Sequence, residues 1–204
     1  MARELEPGVP APDIALPDQD GEMRTLGELR GKWVLVYFYP RDDTPGCTVE
    51  ACGLRDSAGS YAKHGIAVLG ISADSSKSHH KFADKFKLPF PLLADEEKRV
   101  IRAYGSWGKK KFMGREFDGI LRRSFLIDPQ GKIAKVYPKV SPEGHAEEVL
   151  ADVAALKDGA KTIPSKPSTA SKVVKPGGAK KTAKKAPTSA REAPRATRGS
   201  KPKR

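Results

Sequence analysis

No stretch of the chain reaches the roughly 18 apolar residues that a membrane-spanning helix needs. The longest apolar run, residues 33–39, has the length of a buried strand. The N-terminus, Met1-Ala2-Arg3-Glu4 followed by proline and acidic residues, does not lead from a basic segment into an apolar one, so no secretory signal is expected. Cysteine is nearly missing: Cys47 and Cys52 are the two in 204 residues. Two thiols without an export signal point to a reducing, cytoplasmic setting, where such a pair is catalytic rather than structural. Four histidines at scattered positions offer no metal-ligand spacing, and no glycine-rich phosphate motif is present. Neither a metal nor a cofactor is expected. His79 falls at helical spacing with Phe82 and Phe86 and reads as a histidine at the edge of a core.

Acid is lacking in one place only. From Gly159 to Arg204 there are fourteen Lys and Arg and a single acid, Glu192, whereas residues 1–158 hold 24 of each sign. The net charge of +13 therefore belongs to the last 46 residues. That segment is built of Ala, Lys, Pro, Ser and Thr with no aromatic residue. It cannot bury enough surface to offset chain entropy and is expected to be disordered. The division expected is a folded domain over 1–158 and a basic tail over 159–204. Such tails bind phosphate backbones by counterion release without reading sequence. Non-specific, salt-sensitive association with DNA or RNA follows as an expectation, and with it a nucleoid location, or a nuclear one in a eukaryotic source. A merely solubilising tail is the plain alternative.

The first 158 residues read as mixed α/β. Residues 33–39 are β-branched and aromatic, the pattern of a strand covered on both faces, and Pro40 ends it. Thr44-Pro45 is a helix start, threonine at the cap and proline at the first helical position. From there Cys47, Ala51, Leu54, Ala58 and Tyr61 share one face, and His64-Gly65 closes the helix. Residues 66–72 form a second buried strand, so a parallel β-α-β unit is predicted. Helices are predicted over 76–87 and 96–104, with a short strand at 91–93 between them. Residues 124–127 and 132–137 make a hairpin across the turn Asp128-Pro129-Gln130-Gly131. A last helix carries Val149, Leu150, Val153 and Leu156 on one stripe. Helices should flank a central mixed sheet. The Lys109-Lys110-Lys111 run reads as a solvated loop.

Cys47 is placed in the first turn of its helix, where free amides and the helix dipole favour an anion. Such positions near arginine lower a thiol pKa from about 8.5 to roughly 3.5–7.5, and the thiolate is the nucleophile. The surrounding residues, Pro40-Arg41-Asp42-Asp43-Thr44-Pro45-Gly46-Cys47, resemble the Pro-x-x-x-Thr-x-x-Cys signature of peroxiredoxins. With Thr48-Val49-Glu50-Ala51-Cys52 they resemble more narrowly the bacterioferritin-comigratory, or peroxiredoxin Q, branch. Tyr104-Gly105, the segment 107–114, and Arg122-Arg123-Ser124-Phe125-Leu126-Ile127-Asp128 are similar to the same branch. The resemblance covers residues 4–157.

It implies a thioredoxin-like fold and a thiol-dependent peroxidase acting on hydrogen peroxide and organic hydroperoxides in antioxidant defence. Cys47 matches the peroxidatic cysteine and Thr44 the hydroxyl that bonds peroxide and thiolate. Pro40 matches the residue that shields the site from water, and Arg122 the arginine that holds thiolate and peroxide. Glu50 is a candidate to orient an arginine. Cys52 matches the resolving cysteine, which implies a Cys47–Cys52 disulfide reduced by thioredoxin or a similar dithiol, and the branch implies a monomer. Five residues along an intact helix rise about 7.5 Å and separate the Cα atoms by roughly 8.7 Å. A disulfide tolerates about 7 Å. Oxidation is therefore expected to unwind the first turns of the helix. Two other readings were open: a nucleic-acid-associating factor with an incidental domain, and a thiol–disulfide oxidoreductase, which the Cys-x4-Cys spacing disfavours.

Overall fold

The computed structural model describes residues 5–112 and 114–161. The expected disordered tail lies outside the described residues from 162 onward. A small antiparallel hairpin comes first, β1 (Ala15–Pro17) with β2 (Met23–Thr25), followed by a single 3-10 turn, Leu26–Leu29. The hairpin was not predicted, because strands of three residues are too short to show alternation. The remaining elements are β3 (Trp33–Phe38), α1 (Pro45–Asp56), α2 (Ala58–Lys63), β4 (Ile66–Ser72), α3 (Ser76–Phe86), β5 (Leu92–Ala94) and α4 (Arg99–Ala103). Then follow β6 (Trp107–Phe112), β7 (Arg115–Ile120), β8 (Arg123–Ile127), β9 (Ile133–Tyr137) and α5 (His145–Lys161).

The central sheet has the order β5-β4-β3-β8-β9. β3 pairs parallel with β4 and β4 with β5, while β8 runs antiparallel to both β3 and β9. It is thus the mixed sheet flanked by helices that the patterning predicted. β3 lies in the middle, so both its faces are covered. Leu35, Tyr37 and Tyr39 enter one core with Ala51 and Leu54 of α1, Tyr61 of α2, Phe82 of α3 and Val149 and Val153 of α5. Val34, Val36 and Phe38 enter the opposite core with Ile101 and Tyr104, Phe125 and Ile120. The side-chain period of two divides one apolar run between two cores.

Three expectations change. The single helix after Thr44 is two, because the chain turns at Ser57 (φ −88°, ψ 0°) between α1 and α2. Gly53 and Gly59 flank that turn and weaken helical continuity. The helix expected over 96–104 begins only at Arg99, because the Asp95 carboxylate accepts from the amides of Arg99 (2.9 Å) and Ile101 (2.8 Å) and caps it there. The lysine run is not a loop. It belongs to the β6–β7 hairpin, registered from Trp107 opposite Ile120 to Phe112 opposite Arg115. Charged side chains hid the strand pattern, since a two-stranded ribbon open to water needs no apolar face.

Candidate active site

The loop from Pro40 to Thr44 connects the centre of the sheet to the start of α1. Asp42 anchors it. Its buried carboxylate accepts from the Tyr39 hydroxyl (2.8 Å) and the Ser78 hydroxyl (2.7 Å), and His79 Nδ1 lies 2.9 Å away. The Asp42 amide donates to Asp74 Oδ2 (3.0 Å), which also accepts from Ser72. Burial opposes the charge on Asp42, but the hydrogen bonds from His79, Ser78 and Tyr39 outweigh it and hold its pKa below the usual aspartate value. The histidine placed by spacing at a core edge is fully buried and serves this loop.

Thr44 is the N-cap of α1 and Pro45 its first residue, as the sequence indicated. The Thr44 carbonyl accepts the first intrahelical bond, from Thr48 N (2.8 Å). The Thr44 hydroxyl turns the other way and donates to Arg41 O (3.1 Å), so it neither caps the helix nor touches Cys47 here. Cys47 is the third residue of α1 and 1% exposed.

Arg122 arrives from the residue before β8, 75 positions along the chain. Its Nη2 donates to Cys47 Sγ at 3.2 Å, and its Nη1 forms an ion pair with Glu50. One helical turn separates Glu50 from Cys47, so both present to the same guanidinium. Gly46 makes the approach fit: a Cβ there would lie 3.2 Å from Arg122 Nη2. Burial pushes the Glu50 carboxyl up to about 7, with Arg122 pulling the other way. Burial also works against the Arg122 cation, but Glu50 and Cys47 more than offset it and raise its pKa. The buried Tyr37 phenol, its pKa raised by burial and then by the nearby Glu50 and Cys47 charges, stays neutral.

Outside this cluster opens a cleft of about 470 Å³ lined by Pro40, Leu121, Arg122 and Lys110, among others. Pro40, Arg122 and Cys47 are thus brought together. Cys52 stands on the same unbroken helix, half-buried, and both cysteines are free thiols. Lys110 was missed at the sequence level. The available signal was strand alternation within 107–112, masked by lysine at three successive positions. A thiol held at a helix N-terminus and touched by a fixed cation that also lines a cleft is equipped to attack an electrophile and to stabilise an anion leaving from it.

Residues 7–136 match the AhpC/TSA family. The peroxiredoxin Bcp of Escherichia coli K12 is 50% identical over 146 residues, 72% of this chain and 94% of that protein. The peroxiredoxin Bcp of Bacillus subtilis 168 is 44% identical over 146 residues, 72% of this chain and 93% of that one. Among solved structures, the bacterioferritin comigratory protein of Xanthomonas campestris, described for its alkyl peroxide reduction activity, superposes with a TM-score of 0.69 at 35% identity. That match covers 74% of this chain and 99% of the other.

Proposed function

The chain belongs to the AhpC/TSA family and is a thiol-dependent peroxidase, and from that premise we propose that Cys47 is its peroxidatic residue and Cys52 the resolving one. The observation that carries this reading is the 3.2 Å hydrogen bond from Arg122 Nη2 to Cys47 Sγ at the third residue of α1. The Cys47 thiolate attacks one oxygen of the hydroperoxide, the O–O bond breaks, and the second oxygen departs with the negative charge. Arg122 and the free amides of the first turn of α1 stabilise that charge as it forms. Pro40, on the cleft wall, keeps water from the sulfur. Thr44 joins the peroxide by turning its hydroxyl from Arg41 O. Hydrogen peroxide and alkyl hydroperoxides are the proposed substrates, the latter in keeping with the activity described for the Xanthomonas relative.

The product at Cys47 is a sulfenic acid, which Cys52 captures as a disulfide with loss of water. Both residues lie in one continuous helix, so α1 must unwind from its N-terminus for the sulfurs to meet. Thioredoxin or a similar dithiol then returns the pair to thiols. Peroxide consumption with thioredoxin recycling tests the scheme in wild type, Cys47→Ser and Cys52→Ser. Wild type should turn over, Cys47→Ser should be inert, and Cys52→Ser should react about once per chain without cycling. Turnover by Cys47→Ser would remove the assignment, and unchanged amide protection over 44–54 in the disulfide form would remove the unwinding.

The basic C-terminal segment supports a second, compatible role. Its fourteen cations against one acid fit non-specific attachment to nucleic acid, placing a peroxidase beside DNA. DNA retardation of the full chain should exceed that of a 1–158 truncation and fade with salt. Equal retardation would assign the binding elsewhere.

A further inference from the structure

Strand β6 carries three lysines in a row, and the fold sorts them. Lys109 and Lys111 are exposed, while Lys110 between them is half-buried. Its stem passes over Gly119, where a Cβ would lie 3.1 Å from Lys110 Cδ, so the glycine leaves the path open. The ammonium donates to Ile120 O at 2.8 Å and lines the cleft beside Pro40 and Arg122. Lys110, Arg122, Arg123 and Lys139 give that cleft four cations and no carboxylate among its described lining residues.

The reaction at Cys47 leaves one requirement open. Attack on R–O–O–H places the hydroxyl on sulfur and expels R–O⁻, a strong base that must acquire a proton. Departure is in line with the attacking sulfur, so the leaving oxygen lies on the side away from Sγ, and Arg122, which donates to Sγ and also lines the cleft, connects the two. The other protons near Cys47 are badly placed or tightly held. The buried Tyr37 hydroxyl has no partner among the described residues, but it does not line the cleft, and burial raises its pKa well above the ordinary phenol value. Arg122 does not release its proton. The Glu50 carboxyl is buried behind Arg122. The Thr44 hydroxyl, which leaves Arg41 O to meet the peroxide, is a neutral alcohol no more acidic than the R–OH being formed and cannot act as its acid. Lys110 uses one of its three N–H bonds on Ile120 O and keeps two for the cleft.

We propose that Lys110 is the general acid of the peroxidase reaction, handing a proton from Nζ to the leaving oxygen. The proposal rests on Cys47 being the nucleophile. The step balances as Cys47–S⁻, R–O–O–H and Lys110–NH₃⁺ going to Cys47–S–OH, R–OH and Lys110–NH₂. Sulfur is oxidised, the peroxide is reduced, and the lysine regains its proton from water at the open mouth of the cleft. Burial, and after it the Arg122 cation, lower the Lys110 pKa from the ordinary lysine value against the pull of Cys47, which makes the ammonium a readier donor.

The test is single-turnover oxidation of the reduced full chain by two substrates that differ in leaving group. Tert-butyl hydroperoxide expels an alkoxide, which needs a proton, whereas peracetic acid expels acetate, which does not. Lys110→Met should lose about 10²-fold or more in rate constant with tert-butyl hydroperoxide, the usual range for a general acid being about 10²–10⁴, and remain close to wild type with peracetic acid. Lys110→Arg should be as slow as Lys110→Met, because arginine restores the charge but not a transferable proton. Lys109→Met, the same charge change on the outward face of the strand, should be unaffected with both substrates. Equal losses with both substrates, recovery by Lys110→Arg, or no loss at all would each overturn the proposal. The peracetic acid arm also reports folding of the variants. Cys47→Ser should be inert with both substrates. If it reacts, the nucleophile is misassigned whatever Lys110 does.

Discussion

Two buried carboxylates flank the start of α1, and they titrate in opposite directions. Asp42, in the loop before the helix, is met on both oxygens, by Tyr39 and His79 on one and by Ser78 and His79 on the other. Its pKa falls. Glu50, in the second turn of α1, engages Arg122 through one oxygen, while Oε1 has no partner among the described residues. Its pKa rises to about 7. Burial raises both; it prevails at the more deeply buried Glu50, whereas the several donors on Asp42 outweigh it. Both Asp42 oxygens are engaged, and the loop cluster holds the Pro40–Thr44 segment. The site cluster keeps slack, with Arg122 shared between a carboxylate and a sulfur.

The comparison is broken most strongly by removing the shared cation. Arg122→Met should lower the second-order rate of Cys47 oxidation by hydrogen peroxide about 10²–10³-fold, the cost of losing one fixed donor to a developing anion. Stopped-flow kinetics would read this, and a loss well under about tenfold would mean the guanidinium only packs the site. In the loop cluster the expected effect is on stability. Asp42→Ala leaves Tyr39, Ser78 and His79 without their acceptor and should cost about 1–3 kcal/mol in urea unfolding. Because the Asp42 pKa is lowered in the fold from 3.8, its contribution is complete above that value and disappears as pH falls through the folded pKa. The variant should therefore lose less stability on acidification than wild type.

The smallest effect sharpens the contrast. Between pH 4.5 and about 7 the unfolded chain has already released the Glu50 proton while the folded chain still holds it. The folded state binds more protons there, so Glu50 makes stability decline as pH rises through that window. Glu50→Gln cannot titrate and should flatten this decline while leaving the acid-side slope of Asp42 in place. A pH series of urea midpoints would show an unchanged slope if Glu50 were an ordinary ionised carboxylate.

How far these features could be seen in the sequence follows how far apart in the chain their residues lie. Thr44-Pro45 announced the helix and placed Cys47 in its first turn, because a cap and a proline act within a few residues. The run at 33–39 announced a strand buried on both faces. Glu50 could be set on the side of Cys47 by helical spacing, but nothing local said that an arginine would meet it. Arg122 was nominated only through resemblance to a family, since no periodicity links residues 75 positions apart. The orientation of the Thr44 hydroxyl and the late start of α4 depended on hydrogen-bond partners that competed with the local pattern.

The order of the main helices and strands, the parallel β3–β4 pair, the position of Cys47 on its helix and the concentration of positive charge in the last 46 residues all follow from local pattern and composition. Those features depend on steric period, capping and charge count, which act along the chain. The donor beside Cys47, the burial of Glu50, the Asp42–His79 anchor and the inward turn of Lys110 came only with the tertiary fold. They depend on desolvation and on donors brought from distant strands and helices, and neither exists until the sheet has assembled.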